Sequence, residues 1–165
     1  AGADQEAATA RIGAEGSVPG RGRLVGLAAK GTSMDIYTAR ISYDGKDALD
    51  ITRKSGAGIG LALAPSWFIL GPALHARRSG TLTDEEWEHY KAAYQEEMRA
   101  SYRIQRRAWR AILAMPEVTL VCYCSDFLRC HRSLAADLLV KASTGTAAYR
   151  GERPTVAPPQ GVLFT

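Results

Sequence analysis

Apolar and polar positions along this chain alternate between short strand-like runs and longer helical stripes. Ile36–Ile41 is dense in strand formers and predicts a first strand. Tyr43-Asp44-Gly45-Lys46 reads as a turn, and Ala48–Thr52 as a short second strand. A glycine-dense loop, Lys54–Gly60, comes next. Pro65 fixes its own φ and restricts Ala64, so a segment boundary falls there. Ser66–Ala76 predicts a helix that Gly71-Pro72 should break or kink. Thr83 with Glu86 forms a capping box, and Leu82 with Trp87 a hydrophobic staple. Asp84, Glu85 and Glu86 suit the positive end of the helix dipole. Trp87, Tyr90, Tyr94, Met98, Tyr102, Ala108, Trp109 and Ile112 then recur at helical spacing. A helix is expected from Asp84 towards Ala114, with a break near Ile104 because it is long, and Pro116 just beyond its end.

A strand at Val118–Cys122, a helix at Arg132–Lys141 and a short strand at Ala147–Tyr149 complete the pattern. Strands separated by helices imply a mostly parallel sheet covered on both faces. The expected fold is α/β: a compact three-layer Rossmann-like domain with a short sheet and one long capped helix.

Length and charge narrow the class. The chain has 165 residues, enough for one domain with a core. No stretch approaches the roughly 18 consecutive apolar residues of a membrane span. Residues 1–33 are rich in Ala, Gly and Arg without clear periodicity, and are expected to be a flexible or extraneous leader. Residues 34–153 form the working domain, and 154–165 a Pro-rich tail. The three cysteines are odd in number and clustered, a poor disulfide framework, so a reducing cytoplasmic location is expected. A net charge of +4 permits an anionic partner without demanding one. The pattern names no cofactor and no oligomeric state.

The chemistry concentrates in Cys122–Ser133, between an apolar run that ends at Val121 and another that begins at Leu134. That order reads as strand, polar loop and helix, and ligands of α/β folds bind at such carboxyl-end loops. Cys122 reads as core, because free Cys behaves as a small buried hydrophobe. Cys124, at the strand end, reads as the edge of a site. Cys130, His131 and Arg132 open a helix whose first turn carries unpaired N–H groups and a positive dipole end. Three readings stay open there. The helix start with Arg132 and His131 binds phosphate or carboxylate; Cys130 is a thiolate nucleophile with His131 as acid or base; or the residues only pack and cap. Cys122, Cys124, Cys130 and His131 carry atoms suited to zinc. Their spacing departs from the roughly two to four residues between paired structural ligands, so no metal is expected.

Four stretches together resemble a known family: Leu49–Gly56, Ala64-Pro65-Ser66-Trp67, Cys122–Arg132 and Tyr149-Arg150-Gly151-Glu152. The chain is similar to the DUF488 family of small bacterial and phage proteins over about residues 34–152. The resemblance implies a compact α/β fold with a site at the Cys-His-Arg loop, and supplies no reaction.

Other residues bear on that site. Lys54, Ser55 and Gly56 follow a strand; glycines let backbone approach a ligand, and Lys54 can meet negative charge, although the order is not that of a Walker A loop. Asp50 and Thr52 form the polar side of the second strand, and Asp50 either moves a proton or caps the loop. Trp67 is core or a stacking surface for a flat ligand. Arg40 ends the first strand, so Arg40, Lys54 and Arg132 should converge on one crevice. Arg99, Arg103, Arg106 and Arg110 lie on one helical stripe. The expected function is binding of a phosphate-bearing ligand, a nucleotide or nucleic acid, at the Cys-His-Arg loop, with or without catalysis. The alternative is a nucleic-acid-binding module that uses the basic stripe.

Overall fold

The computed structural model describes residues 33–155; the expected leader and Pro-rich tail lie almost wholly outside them. Four strands, β1 (Met34–Arg40), β2 (Ala48–Asp50), β3 (Glu117–Cys122) and β4 (Ala147–Glu152), form one sheet. All its pairings are parallel, in the order β2-β3-β1-β4. The helices are α1 (Trp67–Arg78), α2 (Asp84–Ile104), α3 (Arg106–Leu113) and α4 (His131–Ala142), with a 3₁₀ helix at Gly58–Leu63. The fold is the expected Rossmann-like α/β arrangement. Among the described residues no helix is long and apolar enough to cross a membrane.

Alternation along the central strands decides where the core sits. Met34, Ile36, Val118 and Leu120 join Tyr94, Trp109, Ile112, Ala135 and Leu139 in one buried cluster. Neighbouring positions turn the other way and meet polar groups. The Arg153 guanidinium lies 3.9 Å over the Tyr37 ring and 2.9 Å from Glu117, and the Thr119 hydroxyl donates to Asp47.

The ends of β1, β3 and α4 shift by one or two residues from expectation, and three other boundaries differ for a local physical reason. β2 stops at Asp50 because the Asp50 Oδ1 accepts the Thr52 N–H at 2.8 Å and bends the chain out of the ladder. α1 continues through Pro72 to Arg78. The proline removes one N–H, and the carbonyl four residues back belongs to Phe68, which is 88% exposed and faces solvent. β4 extends to Glu152 through a bulge: Ile36 pairs with Tyr149 and Tyr37 with Gly151, leaving Arg150 as the extra residue. Gly151 takes φ +122, a conformation that favours glycine. The bulge places Arg150 2.7 Å from Asp35 and sends Glu152 towards α4.

The Thr83–Glu86 capping box forms as expected, and the long helix breaks at Gln105. The break lets α3 fold back so that Trp109 Nε1 donates to the Ser101 hydroxyl at 3.1 Å. Ser101 in turn donates to the Ala62 carbonyl at 2.6 Å, and Tyr94 donates to the Leu63 carbonyl at 2.7 Å. Arg53 takes the next two carbonyls, Ala64 and Pro65. Each carbonyl from Ala62 to Pro65 is thus claimed by a side chain, which fixes the segment leading into α1. Ser101→Ala is expected to cost about 1–3 kcal/mol, because it strands a buried carbonyl and a buried indole N–H. Urea unfolding at neutral pH checks this.

Candidate functional site

The carboxyl ends of β2 and β3, one face along the length of α1 and the first turn of α4 enclose a cleft of about 540 Å³. Thr52, Arg53 and Lys54 line one wall and Trp67, His75 and Arg78 of α1 the other. Cys122, Cys124 and His131 form the floor. Trp67 is 56% exposed and lines the cleft, so the core reading of it is corrected.

The floor is a compact set of sulfur and imidazole. Cys122 Sγ lies 3.7 Å from Cys124 Sγ and 3.7 Å from His131 Nδ1. The three sulfurs of Cys122, Cys124 and Cys130 all lie within 4.8 Å of one another. Counting residues along the chain argued against such a set. The fold assembles it because Cys122 ends β3, the loop doubles back, and Cys130 serves as N-cap of α4. His131 Nε2 is 3.1 Å from the Ile51 carbonyl. A carbonyl only accepts, so Nε2 carries the proton and Nδ1 presents a bare lone pair to the sulfurs. Burial pushes the His131 pKa down and keeps the ring neutral. Cys124 is held below the ordinary thiol range, first because Cys122 and Cys130 hydrogen-bond to its sulfur and outweigh burial, and further by the Arg77 charge. Cys122 and Cys130 are pushed up, chiefly by the hydrogen bonds they share within the cluster.

Arg132 is fully buried. Its guanidinium donates to the Cys124 carbonyl and to Glu152, each at 2.6 Å, and lies 3.9 Å from Cys130 Sγ. Arg40 is exposed at the end of β1, in register with Cys122, and does not line the cleft. The expected convergence of Arg40, Lys54 and Arg132 is therefore corrected: only Lys54 reaches the cleft. Arg132 is drawn inward by Glu152, which the β4 bulge delivers, and it holds the floor loop from below.

The remaining expected residues build the wall. Asp50 Oδ2 accepts from the Ser55 hydroxyl at 2.5 Å, and the Thr52 and Ser55 hydroxyls are 3.0 Å apart. Tyr123 extends the network by donating to Ser55 at 3.0 Å, and Lys54 Nζ sits 5.3 Å from the Tyr123 ring centre. Asp50 thus shapes the loop and stands outside the cleft lining. A Cβ on Gly56 would come within 2.3 Å of the Thr52 carbonyl, so this glycine permits approach to the chain's own backbone. Cys130 is 1% exposed beneath the loop.

Sequence reasoning missed His75, Arg78 and Tyr123. Trp67, Gly71 and His75 lie four residues apart and Arg78 three further on, a single helical face. Reading Gly71-Pro72 as a break hid that face.

A family model described as the active DUF488-N3 subclade, DUF488-N3a, matches residues 31–143. No curated protein and no solved structure matches the chain.

Proposed function

The chain belongs to the DUF488-N3a family, and from that membership and the geometry of the cleft we propose a small enzyme that acts on a phosphate-bearing ligand, a nucleotide. The observation that carries this reading is the arrangement of the cleft. Lys54 and Arg78 line it without an ion-pair partner among the described residues, beside an exposed indole and above a thiol–imidazole floor. The two cations suit a phosphate, and the indole suits a base. Cys124, the least buried of the three thiols, and His131 are the floor groups that face such a ligand. The family description as an active subclade supports chemistry over binding alone. Cys130 and Asp50 act here as the N-cap and the loop anchor.

Calorimetric titration with nucleoside monophosphates, and with the matching nucleosides, tests the reading. Nucleotides are expected to bind more tightly than nucleosides, and Lys54→Ala or Arg78→Ala to weaken nucleotide binding about tenfold, near 1.4 kcal/mol. Nucleosides binding equally well, or variants binding like the parent, would refute it.

One observation favours a second reading, a nucleic-acid-binding surface. Arg99, Arg103 and Lys141 line a groove of about 530 Å³, Arg106 and Arg110 line an adjoining one, and both share the half-exposed ring of Tyr102. Binding there would fall steeply with salt and would respond to Arg103→Ala and Arg106→Ala, with Lys54→Ala silent.

A further inference from the structure

We propose that Cys122, Cys124 and Cys130 together form a binding site for one thiophilic divalent metal ion, zinc by preference, whose fourth coordination position opens on the cleft. Four observations converge on this. The first is the size of the sulfur set. A tetrahedral zinc with bonds of about 2.3 Å to sulfur sets its ligand sulfurs about 3.8 Å apart. Cys122 and Cys124 stand 3.7 Å apart, and all three sulfurs lie within 4.8 Å, so closure of the third corner needs only side-chain adjustment.

The second is where the sulfurs face. Cys122 and Cys124 line the cleft, while Cys124 and Cys130 line a smaller hollow that adjoins it at Leu70, Leu74 and His131. An ion held by the three sulfurs would border the cleft through Cys122 and Cys124, which leaves a fourth position for water or a ligand. The third is His131. Its Nε2–H is tied to the Ile51 carbonyl, and its unprotonated Nδ1 stands 3.7 Å from Cys122 Sγ at the edge of the sulfur set. A ring nitrogen fixed through a backbone carbonyl on its other side is the usual setting of an imidazole at a metal centre.

The fourth is the supply of donors to sulfur. The Arg132 backbone N–H donates to Cys130 Sγ at 3.5 Å, and its guanidinium approaches the same atom at 3.9 Å. Arg77 reaches the adjoining Arg129 carbonyl and lines the hollow with Cys124 and Cys130. Loading exchanges protons for the ion: each thiol that is still protonated releases its proton to solvent, and the three thiolates then share a divalent charge. The excess negative charge left on sulfur is what these N–H groups and cations neutralise. Thiolate ligands select zinc over magnesium or calcium. This assignment stands whether or not a nucleotide enters the cleft.

Cobalt(II) titration of the reduced, chelator-treated full chain, followed by absorption, tests it. One equivalent is expected to produce thiolate-to-cobalt charge-transfer bands in the near ultraviolet and the visible bands of a tetrahedral site. Zinc should bleach both. Zinc should also protect the thiols from a disulfide reagent, and a chelator should restore their reactivity. Cys124→Ala, at a partly exposed position, should keep the circular dichroism of the parent and weaken cobalt binding at least 100-fold. Absence of the charge-transfer bands, equal thiol reactivity with and without zinc, or unchanged cobalt affinity in a folded Cys124→Ala protein would each overturn the proposal.

Discussion

Arg132→Ala is expected to lower folding stability by about 3–5 kcal/mol, the range for breaking a buried, hydrogen-bonded ion pair. Three losses add up. The side chain is fully buried, so its removal leaves a cavity. The Cys124 carbonyl loses its 2.6 Å donor. Glu152 loses its partner, but it is 39% exposed and can hydrate, which places the expected loss towards the lower end. Arg132→Met should restore part of the volume term and none of the donor, and fall between parent and alanine. Denaturant unfolding midpoints read this directly. A loss under about 1 kcal/mol for alanine would mean that the guanidinium is not the anchor of the floor loop.

Gly60→Ala is expected to be the next most damaging substitution, at about 3 kcal/mol, the upper end of ordinary overpacking costs. A Cβ at this buried position would sit 2.2 Å from the Asp50 carbonyl oxygen and 3.3 Å from Leu49 Cδ1. The closest atom is backbone at the end of β2, so no side-chain rotation relieves the clash. The 3₁₀ helix must move away from the sheet, and the loop that carries Lys54 and Ser55 moves with it. Thermal or urea unfolding should show the loss, and nucleotide affinity should fall in the same variant. A protein of parental stability would contradict the close approach on which the wall of the cleft rests.

Local signals proved the legible ones. The capping box, the aromatic stripe and the terminal Pro116 located α2 and α3, because each acts over a few residues, and the length of the stripe alone pointed to a break near Ile104, which falls at Gln105. The run from Cys122 to Arg132 marked the strand-to-helix junction for the same reason. What escaped depended on distant partners. Arg132 looked like an anion ligand until Glu152, twenty residues on and turned inward by a bulge, claimed it. Gly56 looked like a ligand-approach glycine, and the carbonyls it must clear belong to Asp50 and Thr52. The sulfur cluster was obscured because chain spacing says little about a loop that doubles back.

The central claim is that ligand enters above the Cys124–His131 floor. Backbone amide NMR during titration with a nucleoside monophosphate tests it most directly. The largest shifts are expected at Thr52–Gly56, Trp67–Arg78, Cys122–Cys124 and His131, with saturation at one equivalent bound. Shifts confined to the helix face bearing Arg99, Arg103, Arg106 and Arg110, or no saturable shifts at all, would contradict it.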